Sequence, residues 1–312
     1  MDGMSHLLQT PAWGELKARF GWEAEPVADQ LILYRRLPLG LRLAYIPRGP
    51  LPDSAQLNAL ATVARRRGAF MLKLEPDRED TPQNAATLSA LGLRPSTHTI
   101  QPRRSIVVDI DDDAEAVLAR MKQKTRYNIR LAEKKGVQAR IGSVDDLPAF
   151  NALMQETGTR DGFGVHAPAY YIAAYESFAR SGQVALALAE LDGRLLAAVM
   201  AFISDDMAWY LYGASSDHER QRMAPYLAQW AAMNWARGRG ARAYDLWGVP
   251  DADEAELEAG FEARHDGLWG VYRFKRGWGG RLTRTIGAWD QVYNPLLYRL
   301  YTWYVAQRGT GE

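Results

Sequence analysis

Apolar positions along this chain switch between a two-residue and a helical rhythm, and the switches mark its elements. Thr10 followed by Pro11 supplies an N-cap and a first helical residue, predicting a short helix over 11–20. Strand-like runs follow at 30–36 and 42–46, then a turn-rich Pro-Arg-Gly-Pro-Leu-Pro-Asp. From Ser54 to about 67, Leu57, Leu60, Ala61 and Ala64 recur at helical spacing. A short strand is expected at 70–74, a helix at 84–91 stopped by Gly92, and a strand at 105–110. Residues 111–135 read as one long helix. Asp111, Asp112 and Asp113 lie in its first turn and lysines at its end, an order that suits the helix dipole, and Gly136 stops it. Leu118, Met121 and Ile129 would face the core.

The pattern then begins again. Helices are expected at 147–159 and 167–181, a hairpin over 184–202 turning at Asp192-Gly193, a strand at 207–212, a helix at 225–237 and a strand at 242–247. The segment 267–280 reads as a strand, with Tyr272, Phe274 and Arg276 on one face and Val271, Arg273 and Lys275 on the other. The tail is rich in Tyr and Trp and ends in an amphipathic helix over 295–307, expected to pack back on the first half. Helix, strands, helix, strand thus occurs twice, which predicts a layered α/β (α+β) architecture.

Composition narrows the function. At 312 residues two domains are expected. Net charge is +1, so any site for a polyanion must be a local patch. The absence of cysteine excludes disulfides, thiolate ligands and a cysteine nucleophile, and five scattered histidines give no expectation of a metal centre. The N-terminus lacks the basic-then-apolar order of a signal peptide, and the longest apolar stretch, 184–203, is interrupted by Glu190, Asp192 and Arg194. The chain is therefore expected to be soluble and cytoplasmic, with room for peripheral membrane contact.

Four stretches are candidates for chemistry. In 210–226 a strand ends at Gly213 and a helix carrying Arg220 and Arg222 follows, a junction suited to an anion. An acetyl-CoA transferase would place its glycine-rich pyrophosphate loop there. Met223 and Pro225 stand where its glycines belong, which argues against acetyl-CoA. The competing reading is a capped helix with solvated arginines, and the stretch alone does not choose. In 267–280, Lys275 among Tyr272, Phe274 and Trp278 is placed to stabilise an oxyanion, although taken alone it reads as a surface lysine on a half-buried strand. The basic helix 120–135, with Arg126 and Arg130 on one face and Lys134 beyond, could contact RNA or phosphate, or be a solvated face. The Pro-rich turn at 45–53 holds Arg48, as a structural loop or as the wall of a pocket.

Together these stretches resemble the FemABX family of peptidoglycan bridge-forming aminoacyltransferases. The likeness begins at LLQTPAWGELKARFGW, runs through YIPRGPLPD, KLEPD, QPRRSIVVDI, KTRYNIRLAEKKGV, YLYGASS and YDLWGV, and closes with YRFKRGWGG. It implies two GNAT-like acyltransferase domains in tandem, 1–110 plus 287–312 and 111–286. It further implies transfer of an amino acid from aminoacyl-tRNA to an amine on the third residue of a stem peptide, carried by UDP-MurNAc-pentapeptide or by a lipid-linked precursor, without cofactor or metal. Phe274 and Lys275 resemble the pair held to sit at the reacting ester. Arg222 and Tyr226, with Lys17 and Arg48, resemble residues that hold the diphosphate end of the acceptor. Tyr212, Tyr244 and Asp245 are further substrate-binding candidates, with Asp245 or Asp217 as base, and Arg126, Arg130 and Lys134 are candidates for tRNA contact. Only nineteen or so residues separate YDLWG from the Lys275 segment, too few for the long coiled-coil arm some members carry. The alternatives are an acyl-CoA-dependent N-acyltransferase and a non-catalytic binding member of the same fold.

Overall fold

A computed structural model describes residues 6–162 and 164–308. The outermost residues of the expected domain bounds therefore lie outside the described residues. The chain divides into two compact units, 1–103 with 284–312, and 104–283.

The first unit opens with α1 (Pro11–Ala18), whose N-cap Thr10 accepts a hydrogen bond from the Trp13 N–H. Strands β1 (Trp22–Val27), β2 (Gln30–Arg36) and β3 (Arg42–Pro47) form an antiparallel meander. Helix α2 (Ser54–Arg66) starts on a capping box made by Asp53 and Gln56 and buries Leu57, Leu60, Ala61 and Ala64. It leads to β4 (Ala69–Glu75), parallel to β3, then to α3 (Pro82–Ala90) and the short β5 (Arg94–Pro95).

The second unit begins with β6 (Arg104–Asp109). This strand, read from the sequence as closing the first domain, pairs with the second sheet. The expected single helix over 111–135 is two, α4 (Ala114–Arg120) and α5 (Gln123–Lys134), because Met121 and Lys122 are extended between them. The break is stitched rather than loose: Lys122 N–H donates to Gly277 O, and the Arg126 guanidinium donates to the Ala119 and Met121 carbonyls at the end of α4. Strand β7 (Gln138–Ile141) and helices α6 (Leu147–Asp161) and α7 (Pro168–Ala179) follow. The hairpin of β8 (Val184–Leu191) and β9 (Arg194–Ser204) turns through Asp192 and Gly193, both at positive φ, as an Asp-Gly turn requires. Then come β10 (Met207–Ser215), α8 (Ala224–Gly238), β11 (Ala243–Val249), α9 (Glu254–Gly260), α10 (Trp269–Lys275) and β12 (Arg281–Arg284). The chain returns to the first unit as β13 (Trp289–Val292) and α11 (Pro295–Arg308).

The first sheet has the order β1-β2-β3-β4-β13-β5 and the second β12-β6-β11-β10-β9-β8-β7. Each contains one parallel pair, β3/β4 and β10/β11, joined by a crossover helix. The expected return of the tail takes the form of β13 inserted between β4 and β5, with Tyr298 of α11 packed on Leu43, Phe70 and Met71.

Candidate active site

The two parallel pairs differ in one respect that matters for chemistry. In the first unit β3 and β4 stay paired to their ends, Pro47 opposite Glu75. In the second, β10 and β11 pair only from Met207–Ala243 to Trp209–Asp245, although β10 runs on to Ser215 and β11 to Val249. The sheet therefore forks beyond Trp209.

Lys275 occupies this fork. Its Nζ donates to Gly248 O of β11 at 2.8 Å and lies 5.5 Å from the centre of the Tyr210 ring of β10. The carbonyl and the ring face both attract a cation, and the side chain is only 6% exposed. Burial lifts the Tyr210 phenol to about 12, so it stays protonated at neutral pH.

The sequence reading of this segment as a strand is wrong. Residues Trp269–Lys275 are helical, and the buried positions Trp269, Tyr272 and Lys275 recur every third residue. Helix α10 is fixed by Glu258 of α9, whose carboxylate accepts from Tyr272 OH at 2.9 Å and from Arg276 Nε at 2.8 Å. The Arg276 contact pulls the Glu258 carboxyl down to about 2. After α10 the chain makes a glycine-rich turn onto the α4–α5 break. Gly279 is at positive φ, and a Cβ there would sit 2.5 Å from Arg120 O.

Phe274, the residue before Lys275, faces Tyr226 and Trp278, with ring centres 5.0 and 5.5 Å away. Tyr226 lies in the first turn of α8 and is hydrogen-bonded to Asn128, and burial raises its phenol above the usual value. Arg222 stands just before this helix, in a turn flanked by Glu219 and Met223, both at positive φ. Its Nε donates to Glu219 at 2.7 Å and its Nη1 to Lys135 O at 2.6 Å. Met223 is the cap residue of α8 and Pro225 its second residue, so the first turn offers one N–H fewer. Phe274 and Tyr226 are thus brought together beside Trp278, while Lys275 reaches the fork, and Arg222 lies four residues before Tyr226 along the chain.

Asp245 acts on the backbone. Its Oδ1 accepts from Ser105 Oγ and, at 2.6 Å, from the N–H of Trp247, a residue held at φ +62°. That left-handed turn coincides with a register shift between β11 and β6 and precedes the Gly248 carbonyl that anchors Lys275. Asp217 forms ion pairs with Arg160 at 3.5 Å and Arg220 at 3.3 Å.

Packing places two expected substrate contacts away from the Lys275 fork. Tyr244 is wholly buried in the core, where its hydroxyl accepts from Gln229 Nε2 at 2.9 Å. Tyr212 points to the sheet face opposite Tyr210, because β10 bulges at Leu211: Tyr210 pairs with Ala201 but Tyr212 with Met200. Tyr212 packs on Tyr171, 5.2 Å away, and on Phe202. Among the basic candidates, Arg130 and Lys134 are exposed on α5, while Arg126 is engaged by the end of α4. Lys17 and Arg48 belong to the first unit. Lys17 Nζ lies 4.8 Å over the Trp13 ring, and Arg48 is buried, donating to Thr285 Oγ1 at 2.6 Å and to Pro102 O. Sequence reasoning missed Tyr210, Gly248 and Ser105. The Gly248 carbonyl carries no residue-type signal, and Tyr210 declares itself only once β10 and β11 are seen to part.

A model of the FemAB family matches the chain twice in succession, over 83–195 and 193–305. The lipid II:glycine glycyltransferase of Staphylococcus saprophyticus subsp. saprophyticus is 26% identical over 94% of this chain and 90% of its own length. That alignment spans 381 positions, more than the 312 residues present here, so the relative carries insertions this chain lacks. A crystal structure of FemX is 25% identical and superposes with a TM-score of 0.82 over 95% of this chain and 94% of FemX. A tandem GNAT protein from the clavulanic acid biosynthesis pathway shares the fold at a TM-score of 0.50 and 13% identity, over 85% of this chain and 79% of that one.

Proposed function

The chain belongs to the FemAB family, and from that premise we propose that it transfers an aminoacyl group from aminoacyl-tRNA to the amino group of the third stem-peptide residue of a peptidoglycan precursor. The glycyltransferase relatives named for lipid II support a lipid-linked acceptor and favour glycine as the first donor to test. The observation that carries the reading is the buried amine of Lys275 in the fork of the second sheet.

The ester linking the amino acid to the tRNA ribose is already activated. The neutral acceptor amine attacks the ester carbonyl, a tetrahedral oxyanion forms, and the C–O bond breaks. The ribose oxygen leaves with a proton, and the amine sheds one as the new amide forms. The Lys275 ammonium donates to the oxyanion, an interaction absent from the ground state and therefore catalytic. Phe274, adjacent to Lys275 in the chain and in ring contact with Tyr226, is the second residue assigned to the ester. Arg222 at the start of α8 takes the diphosphate of the acceptor and so orients the amine. Arg130 and Lys134, exposed on α5, serve the tRNA backbone.

The test is transfer of radiolabelled Gly, Ala or Ser from charged tRNA to UDP-MurNAc-pentapeptide and, separately, to lipid-linked precursor. Transfer is expected to the lipid-linked acceptor and to fall about 10²–10³-fold in Lys275→Ala. Folded protein that transfers to neither acceptor, or Lys275→Ala at the wild-type rate, would refute the reading.

A further inference from the structure

Helix α11 presents an apolar face to solvent. Leu296, Leu300, Trp303 and Tyr304 are 68, 50, 64 and 37% exposed. Their spacing of four, three and one places them on one side of the helix. The opposite side, with Tyr298 and Tyr301, is seated on Leu43, Phe70 and Met71. A surface helix normally turns polar residues outward. This one carries apolar residues on both sides, and its outer face is four large side chains in a row.

The charges around this face are mostly positive. Residues 291–308 contain no Asp or Glu, and Arg299 is exposed among the apolar residues. The β2–β3 turn, whose Leu37 and Leu41 pack in the cluster under α11, lies in a second acid-free stretch, 30–52, and is preceded by exposed Arg35 and Arg36. Arg94, also exposed, holds its guanidinium 4.1 Å from the Tyr298 ring. Glu23 offsets part of this charge by pairing with Arg36 and Arg42, which leaves Arg35, Arg94 and Arg299 as the cations of the patch. Asp290, the acid just before this stretch, is spent on buried Lys73.

We propose that the outer face of α11 docks on an anionic lipid surface, lying in the plane of the interface with Leu296, Leu300 and Trp303 inserted. Leu with Trp and Tyr on one face and arginines beside it is the chemistry of an interfacial helix. A second copy of the chain would bring the same arginines against one another, whereas anionic headgroups neutralise them. No helix among the described residues is long and apolar enough to cross a membrane, so the contact is peripheral. The proposal deepens the reading of a lipid-linked acceptor: a docked enzyme meets its substrate in two dimensions.

The experiment is co-sedimentation of the full chain with vesicles of phosphatidylcholine containing phosphatidylglycerol, and with phosphatidylcholine alone, neither holding any precursor. Wild type sediments with the anionic vesicles and far less with neutral ones. The double variant Leu300→Ser/Trp303→Ser, both positions being exposed, loses vesicle affinity on the order of tenfold or more with an unchanged melting temperature. Trp303→Phe alone retains binding. Transfer to the water-soluble nucleotide-linked acceptor, where detectable, is unchanged in the double variant, and transfer to acceptor in vesicles falls. No sedimentation of wild type, equal sedimentation of the double variant, or a wild-type dimer that the double variant dissolves would each overturn the proposal. Vesicle binding without any transfer would leave the docking face standing and remove the functional reading instead.

Discussion

At the scale of single residues, the candidate site separates a buried amine, Lys275, from the groups that aim it. Lys275 can stabilise an oxyanion only if its ammonium stays where Gly248 O holds it, and that carbonyl is oriented by the Trp247 turn, which Asp245 fixes. We therefore expect Asp245→Ala to lower kcat by about tenfold or more with little change in KM. Asp245→Asn, which keeps an acceptor for the Trp247 N–H, should recover most of the rate. Were Asp245 the general base, Asn would be as damaging as Ala, so single-turnover rates of the two variants decide between the roles. Tyr244 is the opposite case. Its hydroxyl satisfies Gln229 inside the core, so Tyr244→Phe should cost about 1–3 kcal/mol of stability by leaving a buried donor unpaired. Denaturant unfolding would show the loss, and the transfer rate of the folded variant should match wild type; a slowed folded variant would return Tyr244 to the site.

At the scale of elements, the bulge in β10 and the helical form of α10 are the two local decisions that build the site. One extra residue at Leu211 sends Tyr210 to the Lys275 side and Tyr212 to the other. Without it both tyrosines would share a face. Helix α10 is short and its hold on Lys275 depends on Glu258, whose carboxyl is lowered from 4.5 to about 2 chiefly by Arg276. A depressed carboxyl stabilises the fold above its unfolded pKa, and that contribution is lost as pH falls from about 4.5 towards 2. Because Glu258 is 39% exposed, solvent screening limits the contribution to about 0.5–1 kcal/mol. Glu258→Gln should thus be less stable than wild type at pH 6 and converge with it near pH 2. A stability difference that stays constant across this range would show that the ion pair is not its source.

For the whole molecule, the decisive feature is that the chain finishes where it started. Strand β13 enters the first sheet between β4 and β5, and its Asp290 meets Lys73 at 2.9 Å with both side chains buried. Lys73 also donates to Ser96 and to His98 O, and Tyr298 of α11 donates to Asp290 at 2.8 Å. Removing one charge leaves the other buried and uncompensated, so Asp290→Ala should destabilise the protein by about 3–5 kcal/mol. Replacing both partners, as in Lys73→Met/Asp290→Leu, should recover most of this in the same unfolding experiment. A small effect of Asp290→Ala would mean that the C-terminal segment is not held by this pair. The two units reuse one plan, a parallel pair bridged by a helix, yet only the second leaves its strands apart at the end.

The sequence by itself determined the elements whose signals are local. Capping residues, helical spacing and the Asp-Gly turn place α1, α2, α8 and the β8–β9 hairpin within a few residues, because each is stabilised by neighbours along the chain. The order of motifs also carried the family. What only the tertiary structure decided depends on partners distant in sequence. Residues 269–275 form a helix because the interior receives Trp269, Tyr272 and Lys275 and Glu258 binds Tyr272 and Arg276, although alternation alone reads as a strand. The 111–135 helix breaks because the glycine turn after Lys275 fills the gap, Gly277 O taking the Lys122 N–H. Tyr212 and Tyr244 point away from the Lys275 fork because a bulge and a buried hydrogen bond, neither written in residue type, turn them. The fork that admits Lys275 exists because two strands cease to pair, a property of the sheet and of no residue in it.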